Sequence, residues 1–196
     1  ASDYASLLFM SGGYDADEDS DKPNDASPPT NSPTGGDDSG RAVFAVNAAN
    51  GLIEMGGGSP VFRFSRADGV TAMTHSIVDL VAFDSNGDGF ADTVYAGDLG
   101  GNLFVMTDRD ANGSWDFRHL FRARGNPDLR GRWLKFFYAP DATLERFETG
   151  VGEYVFIGSG DRSNPGDCYT QNRFYAIKNK WLPLTSASLP LSETSL

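Results

Sequence analysis

One outline recurs three times along the chain: an apolar strand ending in glycines, a connection, and a second apolar strand. LLFMSGGYD (residues 7–15) is followed by RAVFAVNAANG (41–51), TVYAGDLGG (93–101) by NLFVMTDRDANG (102–113), and YVFIGSGDR (154–162) by NRFYAIKNK (172–180). Phe44, Phe104 and Tyr175 fall in register across the copies, as do Val46, Met106 and Ile177. A repeat of this kind is a supersecondary unit that buries its apolar faces only against its neighbours. Further strands flank the pairs: residues 51–55 after the first, 77–83 before and 117–121 after the second, and 135–139 before the third. Labelled as propeller strands, the order is B-C-D, then A-B-C-D, then A-B-C. Only the middle unit, about residues 77–122, is complete, and its length matches the ~40–50 residue period of propeller blades.

The expectation is therefore an all-β chain forming a portion of a β-propeller. It comprises about three four-stranded antiparallel blades, incomplete at both ends, because a closed ring needs ~4–8 blades. A plain β-sandwich is the alternative. Twenty-three glycines and 10 prolines suit many short strands and turns. The propeller portion is expected over residues 1–183. Within it, residues 15–40 form an acidic insertion with no apolar period, expected to be disordered. Residues 184–196 are expected to be an irregular tail.

The net charge is −11, which argues against a nucleic-acid partner, since phosphates require a basic face. No apolar run approaches the ~20 residues of a membrane-spanning helix, and no signal peptide opens the chain. A mature or internal piece explains that absence as well as a cytosolic origin would, and the rest of the ring is expected to lie outside this chain. The acids are concentrated: residues 15–38 hold eight of the 27 Asp and Glu. Carboxylates gathered in loops favour a hard cation as counter-charge.

DSNGDGFAD carries that cation's ligand spacing. Asp84, Asn86 and Asp88 stand at loop positions 1, 3 and 5, Gly89 at 6, Phe90 at 7 and Asp92 at 9. Calcium takes six to eight oxygens at ~2.3–2.6 Å, and alternating side chains in a tight glycine turn converge on one point. Phe90 contributes its carbonyl, and Asp92 the closing carboxylate, because position 12 is Tyr95 instead of Glu. Strands on both sides separate this loop from a helix–loop–helix EF-hand. An Asx-rich turn without metal is the bland alternative. DRDANGSWD repeats the register with Asp108, Asp110, Asn112, Ser114 through its carbonyl, and Asp116. There the alternative is stronger, because ANG also ends the strand before Gly51, where no ligand set exists. Asp15, Asp17, Asp19 and Asp21 alternate as well, but without a glycine to turn the chain they suit a solvated acidic run.

Arg118, Arg122, Arg124, Arg130, Arg132 and Lys135 form the one basic stretch, expected to be a solvated connector. His75 and His119 have no spaced carboxylate or cysteine suggesting zinc or a catalytic triad, and Cys168 is the single cysteine. No catalytic residues and no organic-cofactor site are expected.

With these segments laid out, DSNGDGFADTVYAGDLGGNLFVM (84–106), LLFMSGGYD, YVFIGSGDR and QNRFYAIKN (171–179) resemble the C-terminal propeller of the PilY/PilC family of type IV pilus biogenesis proteins and tip adhesins. The resemblance implies Ca2+ on Asp84, Asn86, Asp88, the Phe90 carbonyl and Asp92. It also implies a secreted, non-enzymatic protein at the bacterial outer surface or pilus tip. Its role would be in pilus extension, retraction and surface attachment, and its partners minor pilins or a host or surface ligand. An RGD tripeptide is absent, so integrin contact has no support. Two other classes stay open: a carbohydrate-binding propeller, and a quinoprotein-like propeller enzyme.

Overall fold

The computed structural model describes residues 6–15, 39–51, 62–66, 69–109, 113–123, 133–147, 150–180 and 191–192. Among these, the regular elements are strands in three sheets. The first holds β1 (Leu7–Ser11), β2 (Ala42–Asn47) and β3 (Phe62–Ser65), in that order and antiparallel. The second is the meander β4 (Ile77–Phe83), β5 (Thr93–Asp98), β6 (Asn102–Thr107) and β7 (Asp116–Arg122). The third joins β8 (Asp141–Phe147), β9 (Gly150–Gly158) and β10 (Phe174–Lys180). The blade order B-C-D, A-B-C-D, A-B-C stands.

The middle sheet is buried on both faces, which explains why β5 and β6 carry so little polar alternation. Tyr95, Leu103 and Val105 point to one side, into a core with Val155, Ile157, Tyr175 and Ile177 of the third sheet. Val94, Ala96, Phe104 and Met106 point to the other, against Val43 and Ala45 of the first. Three sheets stacked face to face around a complete central meander make a portion of a β-propeller, not a two-sheet sandwich. Gly97 permits the close approach: a Cβ there would stand 2.7 Å from Phe136 Cβ and 3.0 Å from Ile157 Cδ1.

Three strand expectations need correction. The strand paired with β2 is β3, at 62–65, not 51–55; Gly51 ends a turn with φ +71°, and residues 52–55 lie outside the described ones. Strand A of the third unit is β8, not 135–139. That segment is extended core filling: Phe136 is 1% exposed and its N–H goes to the Asp98 carbonyl at 3.2 Å, off the third sheet. An apolar run reports burial, and only pairing makes it a strand. In the expected irregular tail, β11 (Leu191–Ser192) pairs in parallel with Phe121 and Arg122 of β7. The acidic insertion falls mostly on residues 16–38, outside the described ones. Its flanks are tied down, with the Asp15 N–H at 3.4 Å from Ser76 Oγ and the Gly40 carbonyl accepting from Ile77 at 2.9 Å.

The register Phe83↔Thr93↔Thr107↔Asp116 puts the 84–92 and 108–115 connections at one end of the middle blade. The GDLGG turn closes the other end, where Asp98 Oδ1 accepts from the N–H groups of Gly100 (2.9 Å) and Asn102 (2.8 Å).

Candidate functional site

The 84–92 loop is shaped by its glycines and its own carboxylates. Gly87 (φ +79°) and Gly89 (φ +94°) take left-handed conformations that a side chain would strain. Asp84 sits at the focus of the turn. Its Oδ1 accepts from Gly87 N–H at 2.7 Å and Asp88 N–H at 3.3 Å, and its Oδ2 from Gly89 N–H at 2.8 Å. The Gly89 bond is the foremost cause holding the Asp84 carboxyl below its ordinary pKa. Asn86 Oδ1 accepts from Asp88 N–H and Asp88 Oδ1 from Phe90 N–H, each at 2.9 Å. The Phe90 side chain is 48% exposed, so the strand period does not fix it and its backbone is the part built into the turn.

Asp92 differs from the others because it is only 6% exposed. Its Oδ1 accepts from Ser85 N–H (3.0 Å), Ser85 Oγ (2.6 Å) and Thr93 Oγ1 (2.8 Å). Its Oδ2 is buried without a hydrogen-bond partner among the described residues. A buried, half-used carboxylate costs desolvation free energy that a cation would offset. The donor types and the turn therefore fit a calcium ion. The carboxylates are not already gathered: among the described residues no three His, Cys, Asp or Glu side chains stand close enough to share a metal. Backbone donors occupy part of Asp84 and Asp88, while a carboxylate offers about four lone-pair sites, so acceptor capacity is left over.

In the second loop Asp108 Oδ2 accepts from Gly113 N–H at 3.0 Å, and Gly113 has φ +79°. Ser114 and Asp116 are exposed, and Asp110 and Asn112 lie outside the described residues. The two loops touch, with Asp108 N–H donating to the Asp92 carbonyl at 2.8 Å.

Several expected features disperse. The basic stretch is not one solvated face: Lys135 is 3% exposed and pairs with Asp161 at 2.9 Å, while Arg122 Nε donates to Asn102 Oδ1 at 3.1 Å. Arg124, Arg130 and Arg132 lie outside the described residues. The His75 ring packs on Trp133 and the His119 ring on Phe104, and Cys168 is a free, exposed thiol. What sequence reasoning missed is Ser85, Arg109 and Glu153. Arg109 Nε donates to Ser85 Oγ at 3.1 Å and its Nη2 pairs with Glu153 at 3.1 Å. A signal did exist for Glu153: it shares the inward register of β9 with Val155 and Ile157, so a fully buried acid was due a partner.

Among solved structures the fold has a parallel. The fold is similar to that of the PilY1 C-terminal domain. The match is to the crystal structure of that domain from Pseudomonas aeruginosa, at 23% identity and a TM-score of 0.51. It covers 77% of this chain and 33% of that one, so the chain spans about a third of the PilY1 domain's length. No protein-family model matches the chain, and no curated protein matches it. The similarity is one of fold. Among the described residues no helix is long and apolar enough to cross a membrane.

Proposed function

We propose that this chain is a calcium-binding portion of a β-propeller in a type IV pilus-associated adhesin and biogenesis factor. It acts at the bacterial outer surface or pilus tip by binding, not by catalysis. The observation that carries the reading is Asp92: a buried carboxylate with one unpartnered oxygen closes an alternating acidic turn, on a fold similar to the PilY1 C-terminal domain. Asp84, Asn86, Asp88, the Phe90 carbonyl and Asp92 hold the ion. Bound calcium supplies the divalent charge that offsets these carboxylates. The loop residues then keep one geometry at the end of the middle blade, where they shape a surface for minor pilins or a surface ligand. The 108–116 loop, joined to the first through Asp108 and Asp92, is the candidate for a second ion on Asp108, Asp110, Asn112, Ser114 and Asp116.

The test is a bacterial strain whose full-length protein carries Asp92→Lys, which places a cation in the site permanently. Secretion stays intact while pilus number or twitching motility changes. Unaltered piliation and motility, with the altered protein at its normal level, contradicts the regulatory role.

A further inference from the structure

A continuous polar path leads from the 84–92 loop into the neighbouring sheet. Asp92 Oδ1 takes the Ser85 hydroxyl at 2.6 Å, and Ser85 Oγ takes Arg109 Nε at 3.1 Å. Arg109 Nη2 then reaches both Glu153 oxygens, at 3.3 and 3.1 Å. Glu153 belongs to β9 of the third sheet and is fully buried. Two more groups hold it: Tyr95 donates its hydroxyl to Oε2, and Asn179 Nδ2 donates to the same oxygen at 3.0 Å. Burial, then the Glu153 charge, pushes the Tyr95 hydroxyl's pKa up, so it remains a donor. Arg118 donates to Asn179 Oδ1 and completes the cluster.

Arg109 therefore stands between two buried carboxylates on different blades, bonded directly to Glu153 and through Ser85 to Asp92. We propose that Arg109, held by Glu153, is a positioning residue that sets the calcium affinity of the 84–92 loop and ties it to the packing of the third blade. The inference rests on the calcium reading above. The guanidinium charge competes with a cation for the field of Asp92, and Glu153 draws that charge away from the loop. With a cation on Asp92, Arg109 is driven harder onto Glu153, so occupancy tightens the contact between β9 and the middle blade. Linkage makes the effect reciprocal: whatever strengthens the Arg109–Glu153 pair raises calcium affinity.

Calcium titration of the chain by calorimetry, joined to amide hydrogen exchange of β9, separates this from a merely structural role. Arg109→Gln keeps a donor for Ser85 and removes the charge, so calcium binds roughly five- to tenfold tighter, the order expected when one like charge is removed from the neighbourhood of a divalent ion. Glu153→Gln leaves the guanidinium uncompensated and weakens binding by a similar factor. Where Glu153→Gln alone fails to fold, the neutral pair Arg109→Gln/Glu153→Gln replaces it and binds at least as tightly as the wild type. In the wild type, calcium slows exchange at Glu153 and Val155. Both single variants weakening calcium, or neither changing it, overturns the coupling while leaving the calcium site standing, as does β9 exchange indifferent to calcium. A wild type that takes up no calcium at this loop overturns both.

Discussion

Acidification should destabilise this fold through His75 before most of its carboxylates titrate. The ring is 3% exposed, meets Trp133 edge-on with centroids 5.1 Å apart, and keeps Nε2 buried without a partner among the described residues. Its Nδ1 lies 2.9 Å from Thr74 Oγ1. Burial first, then the charges of Arg41 and Lys135, lower its pKa from 6.5 to about 3. A lowered histidine pKa means the unfolded chain takes the proton earlier. The stability is fully present above pH 6.5 and drains away as pH falls from there towards 3. At about pH 4.5 the unfolded imidazole is two units past its midpoint and the folded one still neutral, a loss of about 2–3 kcal/mol from this residue. Urea unfolding of wild type and His75→Gln, above pH 6.5 and at about pH 4.5 at constant salt, isolates the contribution. The wild type should lose about 2–3 kcal/mol more than the variant on acidification. Equal losses in the two proteins would refute the reasoning, because a buried neutral ring could not then be what the proton disrupts.

Gly97→Ala drives a methyl to within 2.7 Å of Phe136 Cβ, so it should cost about 1–3 kcal/mol by overpacking, read as a lower urea midpoint at unchanged slope. A midpoint unchanged from wild type would show that the second and third blades do not pack as closely as described. Asp84, whose carboxyl is lowered chiefly by the Gly89 N–H, orders the loop in its charged form. The order is complete above the unfolded carboxyl pKa and lost as pH falls through the lowered folded one. Exchange of the Gly87 and Gly89 amides should accelerate below that point, and protection that persists in Asp84→Ala would contradict the assignment.

The repeat was legible because each unit pairs a strand with a glycine-rich turn, and β1, β2, β5, β6, β9 and β10 fall where that outline puts them. Outer strands were harder. KFFYA before the third unit is as apolar as a true strand, but hydrogen-bond partners decide the matter. The Phe136 N–H goes to Asp98, while FRFS at 62–65 finds β2. Local chemistry made the Asx turn of Asp84 readable, since its donors lie within five residues. Ser85 and the Arg109–Glu153 pair were not readable, because Glu153 lies 44 residues from Arg109 and only the stacking of blades brings them together.

Calcium uptake at the 84–92 loop is the centre of this account, and calorimetry on wild type and Asp88→Ala measures it most directly. Removing Asp88 deletes a central ligand while leaving the buried Asp92–Ser85 bond in place. The wild type should take up one calcium at this loop, with magnesium competing poorly because it demands compact octahedral geometry, and Asp88→Ala should lose that equivalent entirely. Uptake unchanged in Asp88→Ala, or none in the wild type, would contradict the account.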